Sequence, residues 1–264
     1  MNIYVSVDME GIAGVVLREQ LSKGEALYNE ARHLLTAEVN AVVEALVEQG
    51  AKKIIIKDAH GSGFNFIPEL LHPGAVYCMG ATPVARRFPG LDSGFDGAIL
   101  LGYHAMAGTG QAVRDHTMSS LSYRNIELNG KPVGEITLDA LLFGLHNVPV
   151  LLVTGDDATC REAKQCLGEV TTYATKEALN RHAALIKSPK LVREELKQSI
   201  GTALSQRPQC KPLKLEGPYE LMVDLMTTDL ADSRKVDGTH SIRLDGCRIL
   251  YKDQDLLSLL SRGL

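Results

Sequence analysis

Apolar runs of strand length alternate with longer amphipathic stretches over the first part of the chain. Residues 2–7, 53–57, 97–102 and 149–154 are short segments with apolar centres, as is typical of buried strands. Residues 26–49 instead repeat their apolar positions with a period near 3.6, and a glycine follows directly, as it often does after a helix. This alternation predicts right-handed crossovers, and hence an α/β fold with a mainly parallel sheet and flanking helices.

A hairpin and two further helices are predicted before residue 168. The dipeptide Asn129-Gly130 suits a type I′ turn, so residues 122–128 and 131–133 are expected to pair as a hairpin. Residues 135–145 predict a helix, and Asp156 is placed to cap another one.

The chain changes character after residue 168. Residues 176–206 are rich in charged, helix-favouring side chains and predict a long helical stretch. Later elements are expected as strands at 219–226, 241–244 and 248–251 and a closing helix at 253–261. The expected organisation is an α/β catalytic domain over residues 1–168, which carries the motifs described below, and a smaller C-terminal α+β subdomain over residues 169–264.

Composition limits the functional class. The chain has 264 residues, 45% of them hydrophobic and 23% charged, with a formal net charge of -4. These values are ordinary for a globular protein and exclude a broad basic surface for nucleic acid. Five cysteines without a CxxC pair fit a reducing compartment, and no apolar run approaches ~20 residues. We therefore expect a cytoplasmic protein with neither a nucleic-acid nor a membrane partner.

Side chains that can bind metals follow three of the predicted strands. Asp8 and Glu10 come at the end of the first strand, Asp58 and His60 at the end of the second, and His104 after the third. Residues i and i+2 of a strand point to the same side, and ligands of open α/β sheets bind beyond the carboxyl ends of the strands. The pattern predicts one shared site. Its donors suit Zn²⁺, and also Mn²⁺ or Co²⁺, better than Mg²⁺ alone, and would permit a bridged pair of ions.

Two later residues are further candidates. His116 follows a small, glycine-containing segment and suits an acid, a base, a nucleophile or an ordinary loop histidine. Glu135 starts a predicted helix, where a carboxylate is favourable in any case, and it could equally be a metal ligand. The pattern alone leaves both alternatives open.

Together these segments resemble the motifs of the DppA-type D-aminopeptidases, a family of bacterial zinc peptidases. The matching motifs occur in the family's order and are Ser6-Val7-Asp8-Met9-Glu10-Gly11, Asp58-Ala59-His60, Gly102-Tyr103-His104, His116-Thr117-Met118 and Pro132-Val133-Gly134-Glu135. The resemblance implies a metallo-aminopeptidase that removes the N-terminal residue of short peptides, especially peptides that contain D-amino acids.

The resemblance also implies a site with two zinc ions per subunit, for which Co²⁺ or Mn²⁺ could substitute. Asp8 would bridge the two ions. Glu10 and His104 would complete the ligands of one ion, and His60 and Glu135 those of the other. Water activated by the two ions would be the expected nucleophile.

Other roles follow from the same resemblance. His116 corresponds to the family's catalytic histidine, as an acid/base or as the nucleophile. Asp115 precedes it where a small polar residue is expected, which could alter the pKa or orientation of His116. The spacing in the sequence, and not the resemblance, suggests the role of Asp58: it lies two residues before His60 and suits orientation of that ligand or of metal-bound water, or alternatively it caps a turn. The family forms closed ring-like homo-oligomers, with a decamer as the expected size.

Two other functions compete with this interpretation. Dinuclear sites of Asp, His and Glu also occur in metal-dependent phosphoesterases, which usually add a basic clamp; Arg114 is the only basic candidate near the motifs. A non-catalytic metal-binding or peptide-binding protein is the second alternative. An aminopeptidase would hydrolyse aminoacyl nitroanilides, a phosphoesterase would hydrolyse phosphate esters, and a binding protein would hydrolyse neither.

Overall fold

The computed structural model describes residues 1–264 and contains two sheets. The strands are β1 (Asn2–Val7), β2 (Lys53–Asp58), β3 (Val76–Cys78), β4 (Gly97–Leu101), β5 (Tyr123–Leu128), β6 (Lys131–Pro132), β7 (Val150–Asp156), β8 (Thr171–Asn180), β9 (Ala183–Ile186), β10 (Tyr219–Leu225), β11 (Ser241–Arg243) and β12 (Arg248–Asp253). The first sheet has the order β3-β2-β1-β4-β7-β8-β9, and the second has the order β11-β12-β10-β5-β6.

Six α-helices accompany the sheets. They are α1 (Tyr28–Glu48), α2 (Glu135–Leu145), α3 (Asp157–Leu167), α4 (Pro189–Gln206), α5 (Thr228–Asp232) and α6 (Leu256–Gly263). Four single-turn 3₁₀ helices occur at Arg18–Gln20, Pro68–Leu70, Val84–Arg86 and Arg207–Gln209. No helix is both long and apolar enough to cross a membrane.

The first sheet confirms the predicted α/β architecture. Its strands β3, β2, β1, β4, β7 and β8 pair in parallel in that order, and only β9 runs antiparallel to its neighbour. The second sheet is wholly antiparallel and includes the predicted hairpin, whose Asn129 and Gly130 both have positive φ, at 50° and 73°. Each sheet takes strands from both sides of residue 168, and the division of the chain at that residue stays a prediction.

The helical prediction for residues 176–206 is wrong in its first part. Residues 171–180 and 183–186 form β8 and β9, and α4 starts only at Pro189, after the capping residue Ser188. The Lys-Glu-Ala-Leu segment of β8 favours a helix by itself. Pairing with β7 on one side and with β9 on the other supplies backbone hydrogen bonds that outweigh this preference.

The two faces of the first sheet belong to different hydrophobic cores. Along β1, Ile3 and Val5 pack with α1 and α4, whereas Tyr4 points to the opposite core shared with α2, α6 and the second sheet. Both faces of the sheet are therefore covered, and its carboxyl edge is left to carry the polar side chains.

Candidate metal centre

The predicted site lies where β1 and β4 are adjacent. The chain continues from β1 towards β2 and β3 on one side, and from β4 towards β7 on the other, so this is the point at which the strand order reverses. Asp8 follows β1 directly, and His104 lies three residues after the end of β4. Both side chains are almost completely buried, at 4% and 2% exposure.

Two glycines allow the loops after these strands to pack against each other. The Gly11 N–H donates to the Gly102 carbonyl at 2.8 Å. A Cβ on Gly11 would lie 2.1 Å from the Tyr103 carbonyl oxygen, and Gly102 has a φ of +70°. Larger side chains at these two positions would push the two loops apart.

Asp8 lies between two histidines. Its Oδ1 is 3.0 Å from His60 Nδ1, and its Oδ2 is 3.3 Å from His104 Nε2. The same His60 nitrogen is 3.1 Å from Glu10 Oε2. The structure therefore brings together Asp8, Glu10, His60 and His104, which are four of the five strand-end residues for which the sequence predicts a shared site.

Glu135 and His116 complete the cluster. Glu135 is the first residue of α2, and its Oε1 lies 3.2 Å from His104 Nε2 and 3.8 Å from His116 Nε2. The same oxygen accepts a hydrogen bond from the Met118 N–H at 2.8 Å. The ring of His116 stacks on that of His104, with centroids 3.9 Å apart.

Backbone carbonyls fix the orientation of all three histidines. The pairs are His60 Nε2 with Leu21 O at 2.9 Å, His104 Nδ1 with Ala105 O at 3.0 Å and His116 Nδ1 with Arg114 O at 2.9 Å. A carbonyl oxygen only accepts, so each of these nitrogens carries the proton. The other nitrogen of each ring points into the cluster and is free to bind a metal or exchange a proton.

The charge distribution and the unpaired atoms fit a divalent metal. Burial raises the pKa of Asp8, but hydrogen bonds and charges of His104 and His60 outweigh burial and lower it well below its ordinary value. Glu10 Oε2 and His104 Nε2 are buried, and the groups that face them, at 3.1 to 3.3 Å, are other members of the cluster. Ligand atoms of Asp8, Glu10 and His104 lie within 4.8 Å of one another, and so do those of His104, His116 and Glu135. Buried donors with unused lone pairs are what a cation such as zinc requires.

Asp58 stabilises the loop that carries His60. Its two carboxylate oxygens accept hydrogen bonds from the backbone and the side chain of Asn65, at 2.5 and 2.9 Å. Asn65 in turn donates to the His60 carbonyl at 2.8 Å and accepts from the Tyr28 hydroxyl at 2.6 Å. Asp58 thus contacts the loop backbone and Asn65, and any effect on the His60 ring passes through them.

Asp115 forms no hydrogen bond or ion pair with the His116 side chain. Its carboxylate forms an ion pair with Arg181 and accepts from the Gly108 N–H at 2.9 Å. Arg181 also binds the Asp115 carbonyl and accepts a hydrogen bond from the Arg114 N–H through its own carbonyl. These contacts anchor the loop that delivers His116.

A buried network behind Glu135 has no signal in the sequence pattern. Arg87 Nε donates to Asp139 Oδ1 at 2.5 Å, and its Nη2 lies 3.4 Å from Glu135 Oε2. The Tyr103 hydroxyl donates to Asp139 Oδ2 at 2.5 Å and shares a hydrogen bond with Ser6 at 2.7 Å. Asp139 lies four residues after Glu135 on α2, which places both carboxylates on one helix face. Arg87 comes from a separate segment, so only the fold shows its role.

A second buried network holds the loop after β1. The ammonium group of Lys176 donates to the carbonyls of Glu10, Ile12 and Val15, the first at 2.6 Å and the second at 2.9 Å. Burial lowers the pKa of Lys176 to about 8, while nearby carboxylates raise it. This lysine on β8 fixes the backbone that carries Glu10.

The cluster opens into a cavity of about 370 Å³. Asp8, Glu10, His60, His116 and Glu135 line it, and His104 lies behind them. The opposite walls are mainly polar and come from residues 18–28, 59–65 and 114–121. A cavity of this size is at the small end of ligand-binding sites.

Comparisons with known proteins identify the family of this chain. The family model described as D-aminopeptidase matches residues 1–262. The D-aminopeptidase of Bacillus subtilis (strain 168) is 36% identical over 257 residues, which cover 97% of this chain and 93% of that protein. The solved structure of the Zn-dependent D-aminopeptidase DppA from Bacillus subtilis, described as a self-compartmentalizing protease, superimposes with a TM-score of 0.92 at 31% identity and covers 99% of this chain and 95% of that one. The predicted resemblance is confirmed, and the chain belongs to the D-aminopeptidase family.

Proposed function

We propose that this aminopeptidase binds two zinc ions per subunit at Asp8 and removes the N-terminal residue of short peptides that contain D-amino acids. The position of Asp8 carries the proposal, because its two oxygens face two different histidines, 3.0 and 3.3 Å away. Asp8 would contribute to holding both ions, Glu10 and His104 would hold one of them, and His60 and Glu135 would hold the other. The ions would supply Lewis acidity, which polarises a carbonyl and lowers the pKa of water.

Residues of the chain itself orient these donors. The Leu21 and Ala105 carbonyls hold the His60 and His104 rings. Arg87 and the Met118 N–H fix the two oxygens of Glu135. Such outer contacts set the direction of each lone pair before any ligand arrives.

His116 is proposed as the acid/base. Its Nδ1–H is held by the Arg114 carbonyl, which leaves Nε2 facing the cavity beside Glu135. A proton on Nε2 can be donated to the leaving amine when the peptide bond breaks. Direct attack by His116 on the carbonyl is the alternative, and it would leave a covalent intermediate that mass spectrometry can detect.

The proposed assembly is a closed ring-like homo-oligomer of ten subunits. The Bacillus subtilis relative is described as self-compartmentalizing, which supports an enclosed arrangement here. Enclosure and a cavity of about 370 Å³ both favour short peptides. Light scattering on the eluting peak of a gel-filtration column measures the subunit number directly.

The test of function compares D-Ala-D-Ala, L-Ala-L-Ala and p-nitrophenyl phosphate with the zinc-loaded protein. We expect hydrolysis of the D-dipeptide first, and loss of both zinc and activity in Asp8→Ala. Asp224→Ala on β10, which belongs to the second sheet, is the matched control and should keep both. Normal zinc content in Asp8→Ala would reject its role as a ligand. A fully loaded protein that cleaves neither dipeptide would reject the proposed activity, and cleavage of the phosphate ester alone would favour the phosphoesterase.

A further inference from the structure

Three cationic side chains line the same cavity as the proposed metal ligands. They are Arg18, Lys23 and Arg114. None of them forms an ion pair within the chain, although most other arginines do. Three carboxylates, of Asp8, Glu10 and Glu135, line the cavity as well. Their negative charges balance the three cationic side chains before any metal binds. Bound divalent ions would therefore give the cavity an excess of positive charge. An anionic group of the substrate fits this excess.

Arg114 is the most enclosed of the three. Its Nε is buried without a hydrogen-bond partner, and the one side-chain hydrogen bond of its guanidinium joins Nη1 to His182 Nδ1 at 3.5 Å. Burial lowers the pKa of Arg114, and the nearby charges of Arg181 and Arg18 act in the same direction, while Glu10 raises it. An enclosed guanidinium with unused donors is most often completed by a carboxylate or a phosphate.

The backbone holds Arg114 in place for such a role. Its φ is +55°, in the left-handed region that side-chain-bearing residues seldom adopt. The conformation is fixed on both sides, because the Arg114 N–H donates to the Arg181 carbonyl and the Arg114 carbonyl accepts from His116. Strained positions that the surroundings enforce are common where a side chain must reach a ligand.

We propose that Arg114, together with Arg18, binds the C-terminal carboxylate of a dipeptide substrate. The inference rests on the proposed peptidase function and adds the substrate class to it. In a dipeptide the free carboxylate lies one residue beyond the scissile carbonyl, about 3.8 Å from Cα to Cα, so both groups fit in one small cavity. In a longer peptide an amide occupies that position, and the guanidinium donors of Arg114 lose their charged partner.

The test compares D-Ala-D-Ala with its C-terminal carboxamide. We expect the zinc-loaded wild type to prefer the free acid, measured as kcat/KM. In Arg114→Met, which keeps the length but not the charge, this preference should fall by about 10- to 100-fold, the range for one hydrogen bond to a charged group. Arg114→Lys should restore part of the preference. Arg124→Met, at an exposed position on β5, is the control and should match the wild type on both substrates.

A binding measurement provides a second readout. In the His116→Ala background, where turnover is slow, calorimetry should show that Arg114→Met weakens binding of the free acid at least tenfold more than binding of the carboxamide. Equal losses on the two compounds would overturn the proposal and leave Arg114 only a structural role in the loop. A wild type that cleaves the carboxamide as well as the free acid would also overturn it while preserving the aminopeptidase activity. A wild type that cleaves neither would reject the peptidase function itself.

Discussion

Glu38 on α1 is a buried carboxyl group that makes the stability of this protein depend on pH. It is 1% exposed, its Oε2 accepts from the Ala13 N–H at 3.0 Å, and its Oε1 has no hydrogen-bond partner. Burial raises its pKa from 4.5 to about 7, although the Ala13 N–H and the charges of Lys176 and Arg193 favour the ionised form. The folded protein therefore holds a proton that the unfolded chain releases.

The predicted perturbation is Glu38→Gln, which keeps an acceptor for Ala13 and cannot ionise. The rise of the Glu38 pKa from 4.5 in the unfolded chain to about 7 in the folded protein corresponds to about 3 kcal/mol of stability. Because the folded pKa is the higher one, this stabilisation is fully present below pH 4.5 and is lost as the pH rises towards 7. The wild type should thus lose about 3 kcal/mol relative to Glu38→Gln over that interval.

Urea unfolding of the metal-free protein at several values between pH 4.5 and 7.5 measures this difference. Metal is removed so that its own pH-dependent binding does not contribute. Glu48→Gln, an exposed replacement on the same helix, should follow the wild-type profile throughout. Parallel profiles for wild type and Glu38→Gln would refute the reasoning, because they would mean that Glu38 titrates alike in the folded and unfolded states.

Three further predictions concern the site and its supports. His116→Ala should keep its zinc by elemental analysis but lose at least ~100-fold in dipeptide hydrolysis, and near wild-type turnover would exclude His116 from catalysis. Arg87→Met leaves two buried carboxylates without their cation and should cost about 3–5 kcal/mol in urea unfolding; a loss below about 1 kcal/mol would contradict the network. Gly11→Ala should destabilise by at least about 1–3 kcal/mol, because its Cβ would meet a carbonyl oxygen at 2.1 Å. Gly110→Ala, where a Cβ meets nothing within 4 Å, is its control, and equal midpoints for the two would argue against the close approach.

The ligand cluster could be predicted because its members follow parallel strands. Parallel strands end at one edge of a sheet, so residues just beyond β1, β2 and β4 had to meet once the strands were recognised. Strand order could not place Glu135 and His116 in this cluster, because neither the start of a helix nor a loop has a fixed position relative to the carboxyl edge of the sheet. Only the family resemblance connected these two residues with the edge before the structure placed them there.

The residues that hold the cluster in position contact it from distant parts of the chain. Lys176 binds the loop after β1 across 166 positions of sequence, from a segment whose local composition favours a helix. It reaches that loop only because residues 171–180 form a strand beside β7. The pairing of β8 with β7, which made the helical prediction wrong, therefore also positions Lys176. The pattern of apolar residues along the chain does not reveal this pairing.

The proposed metal ligands and the proposed substrate-binding cations occupy different kinds of position in the fold. Four of the proposed metal ligands follow the ends of strands, where the sheet determines their spacing, and the fifth starts α2. Arg18 and Arg114 come from connecting segments, which can change without disturbing the sheet. The Asp115–Arg181 ion pair anchors the loop that holds both Arg114 and His116. On the proposed role of Arg18 and Arg114, replacing either cation changes the preference for a free carboxylate on the substrate and leaves the proposed metal ligands in place.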